Sequence, residues 1–312
     1  MKEKKNICTG CAAAEADGRF VRHPEGADGE AVVTAYPMFP GIEIAYCDIH
    51  AHECRLEHTP EAPLMRISHC REGRLEQQMG NEYYFLAPGD LAVSRSDASD
   101  EAARFPTGHY HGITVTIDPA QAPECLSCLL SDVNVRPAAL MEKFCADGGY
   151  FAARSSASVE HIFSELYTVP EKIRHGYIRV KVLEILLVLT GLEPGKDEAE
   201  RVHFSESQIE VIKEIHGFHV EHFNEHYTIS QLSERFEISP TIMKKCFKGV
   251  YGDSIYAYMK RYRLQVAERL LKESQLTVGE IAAQIGYLNP NKFTSAFCGE
   301  YGVPPTSYRK KV

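Results

Sequence analysis

A short predicted helix that begins at Ser239 separates its polar and apolar side chains onto opposite faces. The basic and hydroxyl-bearing face carries Thr241, Lys244, Lys245 and Lys248. The apolar residues expected to be buried on the other face are Ile242, Met243, Cys246 and Phe247. Lysines can hold phosphates and threonine can hydrogen-bond to base edges, so this face has the chemistry of a DNA-reading surface. The alternative is an ordinary solvated lysine face.

A second predicted helix further along the chain repeats this separation. Phe293 and Phe297 take the buried side, and the side chains left exposed are Asn291, Lys292 and Ser295. An amide, an ammonium and a hydroxyl are again groups that contact phosphates and base edges.

Both helices belong to an internal repeat over residues 228–252 and 277–302, and each copy ends in Phe-x-Gly-x-Tyr-Gly. Each copy predicts a short helix, a tight turn at 237–238 or 286–288, and a second helix. Two short helices around a tight turn form a helix-turn-helix. The repetition favours DNA reading over a solvated face.

Capping residues mark where these helices begin. The capping boxes are Thr228 with Gln231 and Thr277 with Glu280, and the second helices begin at Ser239-Pro240 and Asn289-Pro290. Residues 254–274, between the copies, have apolar residues at helical spacing. A helix of about 18 residues, roughly 27 Å long, can hold two readers about one DNA turn apart.

The repeat resembles the DNA-binding domain of the AraC/XylS family of bacterial transcription regulators. The resemblance rests on RLQVAERLL in the connecting helix, GEIAAQIGY in the second copy and GVPPTSYR at its end. By position, Thr241, Lys244 and Lys245 correspond to the contacts of the first reader, and Asn291, Lys292 and Ser295 to those of the second. Some members carry arginine where Ser295 stands, so the second helix is expected chiefly to hold the DNA backbone.

Length and charge suggest two parts with different partners. A chain of 312 residues exceeds one small domain. Residues 239–312 carry 12 Lys and Arg against 5 Asp and Glu, a net charge of +7. Because the whole chain has a net charge of −9, the remaining residues carry −16. This division favours polyanion binding at the C-terminal end. No secretory or membrane segment is apparent, so a cytoplasmic protein is expected.

The N-terminal part reads as a mobile tail over residues 1–30, followed by strands over 31–132. Apolar residues alternate in GIEIAYCDI, PLMRISHC, PGDLAVSR and HYHGITVTID, with glycine or proline turns between them. This pattern is typical of a small barrel or jelly roll.

Polar residues lie at the ends of the alternating rows. If these rows face the barrel interior, the polar groups that converge near its mouth are Tyr46, His69, Arg95, His109 and His111. An apolar cup with a few convergent polar groups is typical of a small-molecule site. The alternative is that these residues have local partners in a closed core, or face solvent.

Residues 73–93, GRLEQQMGNEYYFLAPGDLAV, are similar to the cupin-like sensor barrel that AraC-type regulators often carry. His50, His52 and Glu57 echo half of the metal motif of enzymatic cupins, but the strand after Pro88-Gly89 has no histidine at the expected place. We therefore predict no metal, no cofactor and no catalysis, with His50, His52 and His58 in loops.

Residues 133–204 are predicted to be a helical region, and residues 205–312 the DNA-binding domain. One helix, Tyr177 to Leu189, is apolar nearly all round, which indicates packing against the barrel and against either a second chain or other helices of the same chain. Residues 193–202 read as a linker. A lead helix is expected from Ser207, capped by Glu210.

Cysteine and histidine spacing suggests further metal chemistry. Cys8 with Cys11 and Cys125 with Cys128 could supply four thiolates for zinc, or a redox switch, although scattered reduced thiols are the simpler interpretation. His222 and His226 lie one helical turn apart, but no third ligand is evident. A solvated or interdomain histidine face is favoured there.

These patterns predict an α+β chain: a cupin-like barrel or jelly roll with a helical linker, then an all-α double helix-turn-helix domain. The predicted function is a transcription regulator whose barrel senses a small molecule. Its expected partners are double-stranded promoter DNA, a small-molecule effector, a second copy of the chain and RNA polymerase, with no membrane. The alternative is a cupin-type metalloenzyme, or a metal or redox sensor, fused to a DNA-binding domain.

Overall fold

A computed structural model describes residues 19–56, 63–79, 82–96, 102–126, 134–146, 150–196 and 203–310. The chain divides into two compact units, Met1–His203 and Phe204–Val312. The first is rich in strands and the second is helical, so the chain is α+β as predicted. Among the described helices, none has both the length and the apolar character needed to cross a bilayer.

Eleven strands build the first unit within the described ranges: β1 (Phe20–Arg22), β2 (Glu30–Phe39), β3 (Ile42–His50), β4 (Glu53–Cys54), β5 (Leu64–Gly73), β6 (Leu75–Met79), β7 (Glu82–Leu86), β8 (Asp90–Ser96), β9 (Ala103–Arg104), β10 (Tyr110–Ile117) and β11 (Tyr150–Arg154). The larger sheet is antiparallel with the order β1-β2-β3-β10-β5-β8-β11. In the smaller sheet the order is β7-β6-β9-β4.

The four alternating segments are confirmed as strands β3, β5, β8 and β10. Two boundaries were wrong. Residues Phe20–Arg22, which were assigned to the tail, form a strand that pairs with β2. The buried side chain of Phe20 stabilises this pairing. Tyr150 to Arg154, assigned to the helical region, pair with β8 at the sheet edge, where Phe151 and Ala153 alternate with more exposed neighbours. Residues 1–18 lie outside the described ranges.

Over its described residues the first unit also has three α-helices: α1 (Pro137–Cys145), which precedes β11, and α2 (Ala157–Leu166) and α3 (Arg174–Gly191), which follow it. Their apolar residues join one face of the larger sheet in a common core. The other face of that sheet packs against residues of the smaller sheet. Both faces of the larger sheet are therefore buried over most of their length.

α3 is the helix whose sequence is apolar nearly all round. Ile178, Val182 and Leu186 are buried in the core shared with the sheet. Val180 and Leu187 are 62% and 43% exposed on the other side of the helix. One apolar face of α3 is thus not covered by any of the described residues.

The second unit consists of α4 (Glu206–Glu221), α5 (Ile229–Arg235), α6 (Pro240–Tyr251), α7 (Ile255–Glu273), α8 (Val278–Gln284), α9 (Pro290–Tyr301) and α10 (Pro305–Arg309). The connecting helix is confirmed as α7. The cap of the lead helix was misplaced, since Ser205 and Gln208 form the capping box of α4. Ser205 and Ser207 both begin an S-x-x-E/Q pattern, so the sequence did not separate them.

Apolar residues of α7 form the core of the second half of this unit. Leu264 and Ala267 of α7 are fully buried together with Ile281, Phe293 and Phe297. In the first half, Leu232 of α5 and Met243 and Phe247 of α6 are likewise fully buried. Each short helix therefore has one apolar stripe to bury and one polar face to present.

Candidate nucleic-acid interface

Both predicted capping boxes are confirmed. The Thr228 hydroxyl accepts from the Gln231 backbone at 3.3 Å, and the Gln231 side chain accepts from the Thr228 backbone at 2.8 Å. In the second copy the corresponding distances between Thr277 and Glu280 are 3.2 and 2.7 Å. These reciprocal bonds satisfy otherwise unpaired donors and fix where α5 and α8 begin.

The turns of the two copies are closed by the same hydrogen bond. The Ile238 N–H donates to the Ser233 carbonyl at 3.2 Å, and the Tyr287 N–H donates to the Ala282 carbonyl at 2.8 Å. The first turn places Glu237 at φ 50°, and the second places Gly286 at φ 84°. Both turns therefore need a left-handed residue, but only the second uses glycine.

Gly286 also lies against the segment before the first copy. A Cβ atom at this position would be 2.2 Å from the Asn224 carbonyl oxygen. Next to it, His226 Nε2 donates to the Gly286 carbonyl at 2.9 Å. Buried Arg263 of α7 donates to the carbonyls of Phe223 and Glu225 at 2.5 and 2.7 Å. The segment 223–226 is thus held by the connecting helix and the second turn.

α6 presents the polar face that its sequence predicts. It begins at Pro240, where the Ser239 hydroxyl caps the Ile242 N–H at 3.3 Å, and ends at Gly252 with φ 88°. Met243, Cys246 and Phe247 are fully buried. The predicted contact residues are all exposed: Thr241, Lys244, Lys245 and Lys248.

Ile242 was predicted to be buried and is 41% exposed. At about 100° per residue it lies between Lys245 and the buried stripe, so an apolar side chain there need not face the core. When the two copies are aligned on their prolines, Ile242 occupies the position of Lys292. That equivalence was the available sign that Ile242 belongs to the exposed surface.

α9 repeats this arrangement in the second copy. It begins at Pro290, where the Asn289 side chain accepts from the Asn291 N–H at 2.9 Å, and ends at Gly302 with φ 72°. The predicted contact residues are again exposed: Asn291, Lys292 and Ser295. When the two copies are aligned on their prolines, exposed Thr241 and Lys245 of α6 correspond to exposed Asn291 and Ser295 of α9.

The histidines of α4 and its continuation bind separate partners. His222 Nδ1 donates to the Phe218 carbonyl at 3.0 Å, whereas His226 donates to Gly286. His216 Nε2 shares a hydrogen bond of 2.8 Å with the Tyr258 hydroxyl. Burial lowers the pKa of His219 to about 4, so its imidazole is neutral. His222 and His226 are thus engaged with separate carbonyls.

Tyr46 and His69, two of the five polar residues predicted to point into the barrel, lie instead on the helix-covered face of the larger sheet. The predicted direction of these two side chains is therefore wrong. The Tyr46 hydroxyl donates to the Leu166 carbonyl at 3.1 Å. His69 stacks on Phe163 at 4.2 Å and donates to Glu160 at 3.3 Å. Burial lowers the pKa of His69, although Glu160 opposes the shift.

The other three residues of the row do not join them. Arg95 is exposed, His109 precedes β10 and is half-buried, and His111 Nδ1 lies 3.2 Å from Asp48 Oδ1. The five residues therefore do not line a common pocket. His50, expected in a loop, is the last residue of β3, while Glu57 and His58 lie outside the described residues.

A cavity of about 200 Å³ lies between the two sheets, on the opposite face from the predicted row. Its polar lining includes Arg22, Arg66, Ser68, Gln77, Arg104 and Thr114. Arg22 pairs with Glu43 at 2.8 Å, and the Ser68 and Thr114 hydroxyls are 3.1 Å apart. This cavity is a polar, positively charged recess within the first unit.

The proposed thiolate site cannot be located, because Cys8, Cys11 and Cys128 lie outside the described residues. Cys125 is half-buried. Five further described cysteines are buried: Cys47, Cys54, Cys70, Cys145 and Cys246. Burial raises the pKa of the Cys246 thiol to about 12, which makes it chemically inert.

Comparison with known proteins matches a helix-turn-helix domain family to residues 232–311. The transcriptional activator RhaR of Cronobacter sakazakii is 33% identical over 94 residues, which cover 30% of this chain and 30% of RhaR. The transcriptional regulator AlkR of Acinetobacter baylyi is 29% identical over 85 residues, 27% of this chain and 28% of AlkR.

A solved structure, the C-terminal domain of the response regulator AraT from Geobacillus stearothermophilus, is 26% identical with a TM-score of 0.32 and covers 33% of this chain and 85% of that domain. The matched stretch covers less than a third of the length of RhaR and of AlkR. It coincides with the repeated helix-turn-helix unit described above. Over residues 232–311 the C-terminal unit is therefore similar to the helix-turn-helix domains of AraC-like transcription regulators.

Proposed function

We propose that this chain is a sequence-specific DNA-binding transcription regulator whose first unit senses a small molecule. The observation that carries the proposal is the matched pair of reading helices, α6 and α9. Each is capped, each buries one apolar stripe, and each leaves a polar or basic face exposed. The proposal assigns the chain no catalytic reaction.

We infer that α6 and α9 contact DNA in different ways. Lys244, Lys245 and Lys248 give α6 three exposed ammonium groups for phosphates, and Thr241 lies near its N-terminus, where reading helices contact base edges. Ile242 adds an apolar contact suited to a thymine methyl group. Because α9 offers only one lysine among Asn291, Lys292 and Ser295, it is assigned chiefly to the backbone.

A small-molecule site is proposed in the cavity between the sheets rather than at the polar row of the sequence prediction. Arginines and hydroxyls in the lining suit a small compound with a carboxylate and hydroxyl groups. Arg22 and Arg104 have carboxylate neighbours, Glu43 and Glu76, at 2.8 and 3.5 Å. Arg66 lines the cavity on β5, two residues from Ser68 on the same face of the sheet, and we assign its guanidinium to the ligand anion.

A thermal-shift screen of small hydroxy acids and sugar acids against the full chain is expected to give a stabilising compound. At about a hundredfold excess over its Kd, a ligand adds about 2.7 kcal/mol to the free energy of unfolding. The shift should be lost in Arg66→Met, which removes the guanidinium assigned to the ligand anion. It should persist in Arg95→Met, an exposed arginine on the other face of the sheet. Equal loss in both variants would refute this placement.

A second copy of the chain is proposed to cover the open face of α3. Val180 and Leu187 are apolar and exposed there, and helix packing is the usual way in which such a stripe is buried. RNA polymerase is proposed as a further partner because RhaR, a relative of the second unit, is named as an activator.

Comparing the fragment Phe204–Val312 with the full chain tests the function and the oligomer together. The fragment begins at Phe204 rather than Ser205 because Phe204 is buried, and its ring would lie 2.4 Å from a Cβ atom at Gly249. We expect the fragment to bind promoter DNA as a monomer without response to the effector. The full chain should sediment as a dimer.

Electrophoretic mobility shift and sedimentation equilibrium measure these outcomes. A folded fragment that binds no promoter DNA would contradict the assignment of the second unit as an autonomous reader. A full chain that sediments as a monomer with and without effector would remove the proposed interface on α3 and leave the DNA-binding proposal standing.

A further inference from the structure

Two histidines and an aspartate meet at one end of the larger sheet. Asp48 and His50 lie on β3, and His111 lies directly opposite Asp48 on β10 in the antiparallel register. Residues two apart on a strand share a face, and so do directly opposed residues. The backbone pairing itself therefore places these three side chains together.

Their ligand atoms have the spacing of a metal site. Asp48 Oδ1 lies 3.3 Å from His50 Nε2 and 3.2 Å from His111 Nδ1, and the three ligand atoms lie within 4.8 Å of one another. Two ligands of a tetrahedral zinc ion, each bonded at about 2.0–2.1 Å, are about 3.3 Å apart. The two N–O distances match this value, and a small rotation of the exposed His50 imidazole adjusts the third.

We propose that Asp48, His50 and His111 bind a divalent transition-metal ion, with zinc as the reference ion. Two imidazoles and one carboxylate favour zinc, cobalt, nickel or copper over magnesium and calcium, which prefer oxygen ligands throughout. The ring of His109 lies 6.3 Å from that of His111 and is not one of the three proposed ligands. Water fills any coordination position that remains.

This site is separate from the cavity proposed for the effector. Asp48 lies on the helix-covered face of the sheet, whereas the adjacent Cys47 points to the other face and lines the cavity. The site also lies in the first unit, whereas both reading helices belong to the second. Metal binding here therefore uses none of the residues proposed to contact DNA or the effector.

A simple histidine–carboxylate ion pair is the competing explanation of this geometry. The same unit contains such a pair in α2, where His161 Nε2 lies 3.5 Å from Glu165 Oε1. Glu165 also binds Lys181, a cation rather than a third metal ligand. His161 is thus a matched control, because it keeps the pair chemistry and lacks the convergent second imidazole.

Cobalt titration of the full-length, tag-free, chelator-treated chain tests the proposal. We expect one equivalent of cobalt bound with visible absorption bands of nitrogen and oxygen ligation, displaced by zinc. His111→Ala and Asp48→Asn should weaken the affinity at least about tenfold, since the first removes a direct ligand and the second removes the negative charge of another. His161→Ala should leave it unchanged.

Circular dichroism establishes that each variant is folded, and Asp48→Asn keeps the side-chain shape while removing the charge. Thiolate binding is recognised separately by an intense near-ultraviolet charge-transfer band. The proposal is overturned if cobalt binds only through thiolates, if it does not bind, or if the folded His111→Ala and Asp48→Asn variants bind it as tightly as the unaltered chain.

Discussion

The double substitution Lys244→Ala with Lys245→Ala is expected to weaken promoter binding by roughly ten- to a hundredfold while leaving the fold intact. Both ammonium groups are exposed on α6, so their removal deletes phosphate contacts without opening the core. The slope of log K against log salt concentration should become shallower by about 0.9 for each lost contact. Fluorescence anisotropy with a labelled promoter fragment over a salt series measures both quantities.

Lys172→Ala provides the control, because this lysine is exposed in the first unit and lies outside the reading helices. It changes the net charge by one without touching the proposed interface. If the double variant keeps the affinity and the salt slope of the unaltered chain, α6 does not read DNA. If Lys172→Ala weakens binding as much per charge, net charge rather than α6 drives the association.

Gly286→Ala is expected to destabilise the second unit by roughly 3 kcal/mol or more, from two additive causes. At φ 84° a side chain is strained, and its Cβ would be 2.2 Å from the Asn224 carbonyl oxygen. Backbone has to move to relieve that overlap, and the nearby bond from His226 to Gly286 would be disturbed. Urea unfolding of the fragment Phe204–Val312 measures the loss.

The first copy supplies the matched opposite change. Glu237 occupies the equivalent turn position at φ 50°, so Glu237→Gly should relieve strain and raise the free energy of unfolding by up to about 1 kcal/mol. If Gly286→Ala were as well tolerated as Glu237→Gly, the close approach between Gly286 and Asn224 would be wrong.

The second unit was predictable because its signals are local. Thr228 and Thr277 each carry their partner three residues later, and the prolines at 240 and 290 mark the next helix start. Only positions at the margin of a stripe were ambiguous, as for Ile242. There the angular position on the helix, rather than hydrophobicity, decides exposure.

The strands of the first unit were predictable from the sequence, but which face of each strand lies between the two sheets was not. Alternation indicates which residues share a face, and it identifies the buried face only when the other is solvated. Here both faces of the larger sheet are covered, so Ala45 and Cys47 are buried on one face and Ile44 on the other. The polar row with Tyr46 was therefore assigned to the wrong side, and the cavity near Arg66 was missed.

The metal-ligand cluster was missed for a different reason. His50 and His111 are distant in sequence, and the one pairing that brings them together is the register of β3 with β10. A cupin metal motif would instead place a histidine after Pro88-Gly89, on another strand. Strand order in a sheet is a non-local property that spacing along the chain does not encode.

The hydrogen bonds that hold the segment 223–226 link the stability of the two copies of the repeat. This segment leads into the first copy, yet its carbonyls and imidazole are bound by Arg263 of α7 and by Gly286 in the second copy. Local unfolding of the second copy would therefore also release the segment that leads into the first copy. The two copies thus form one cooperative folding unit rather than two independent modules, and neither can replace the other.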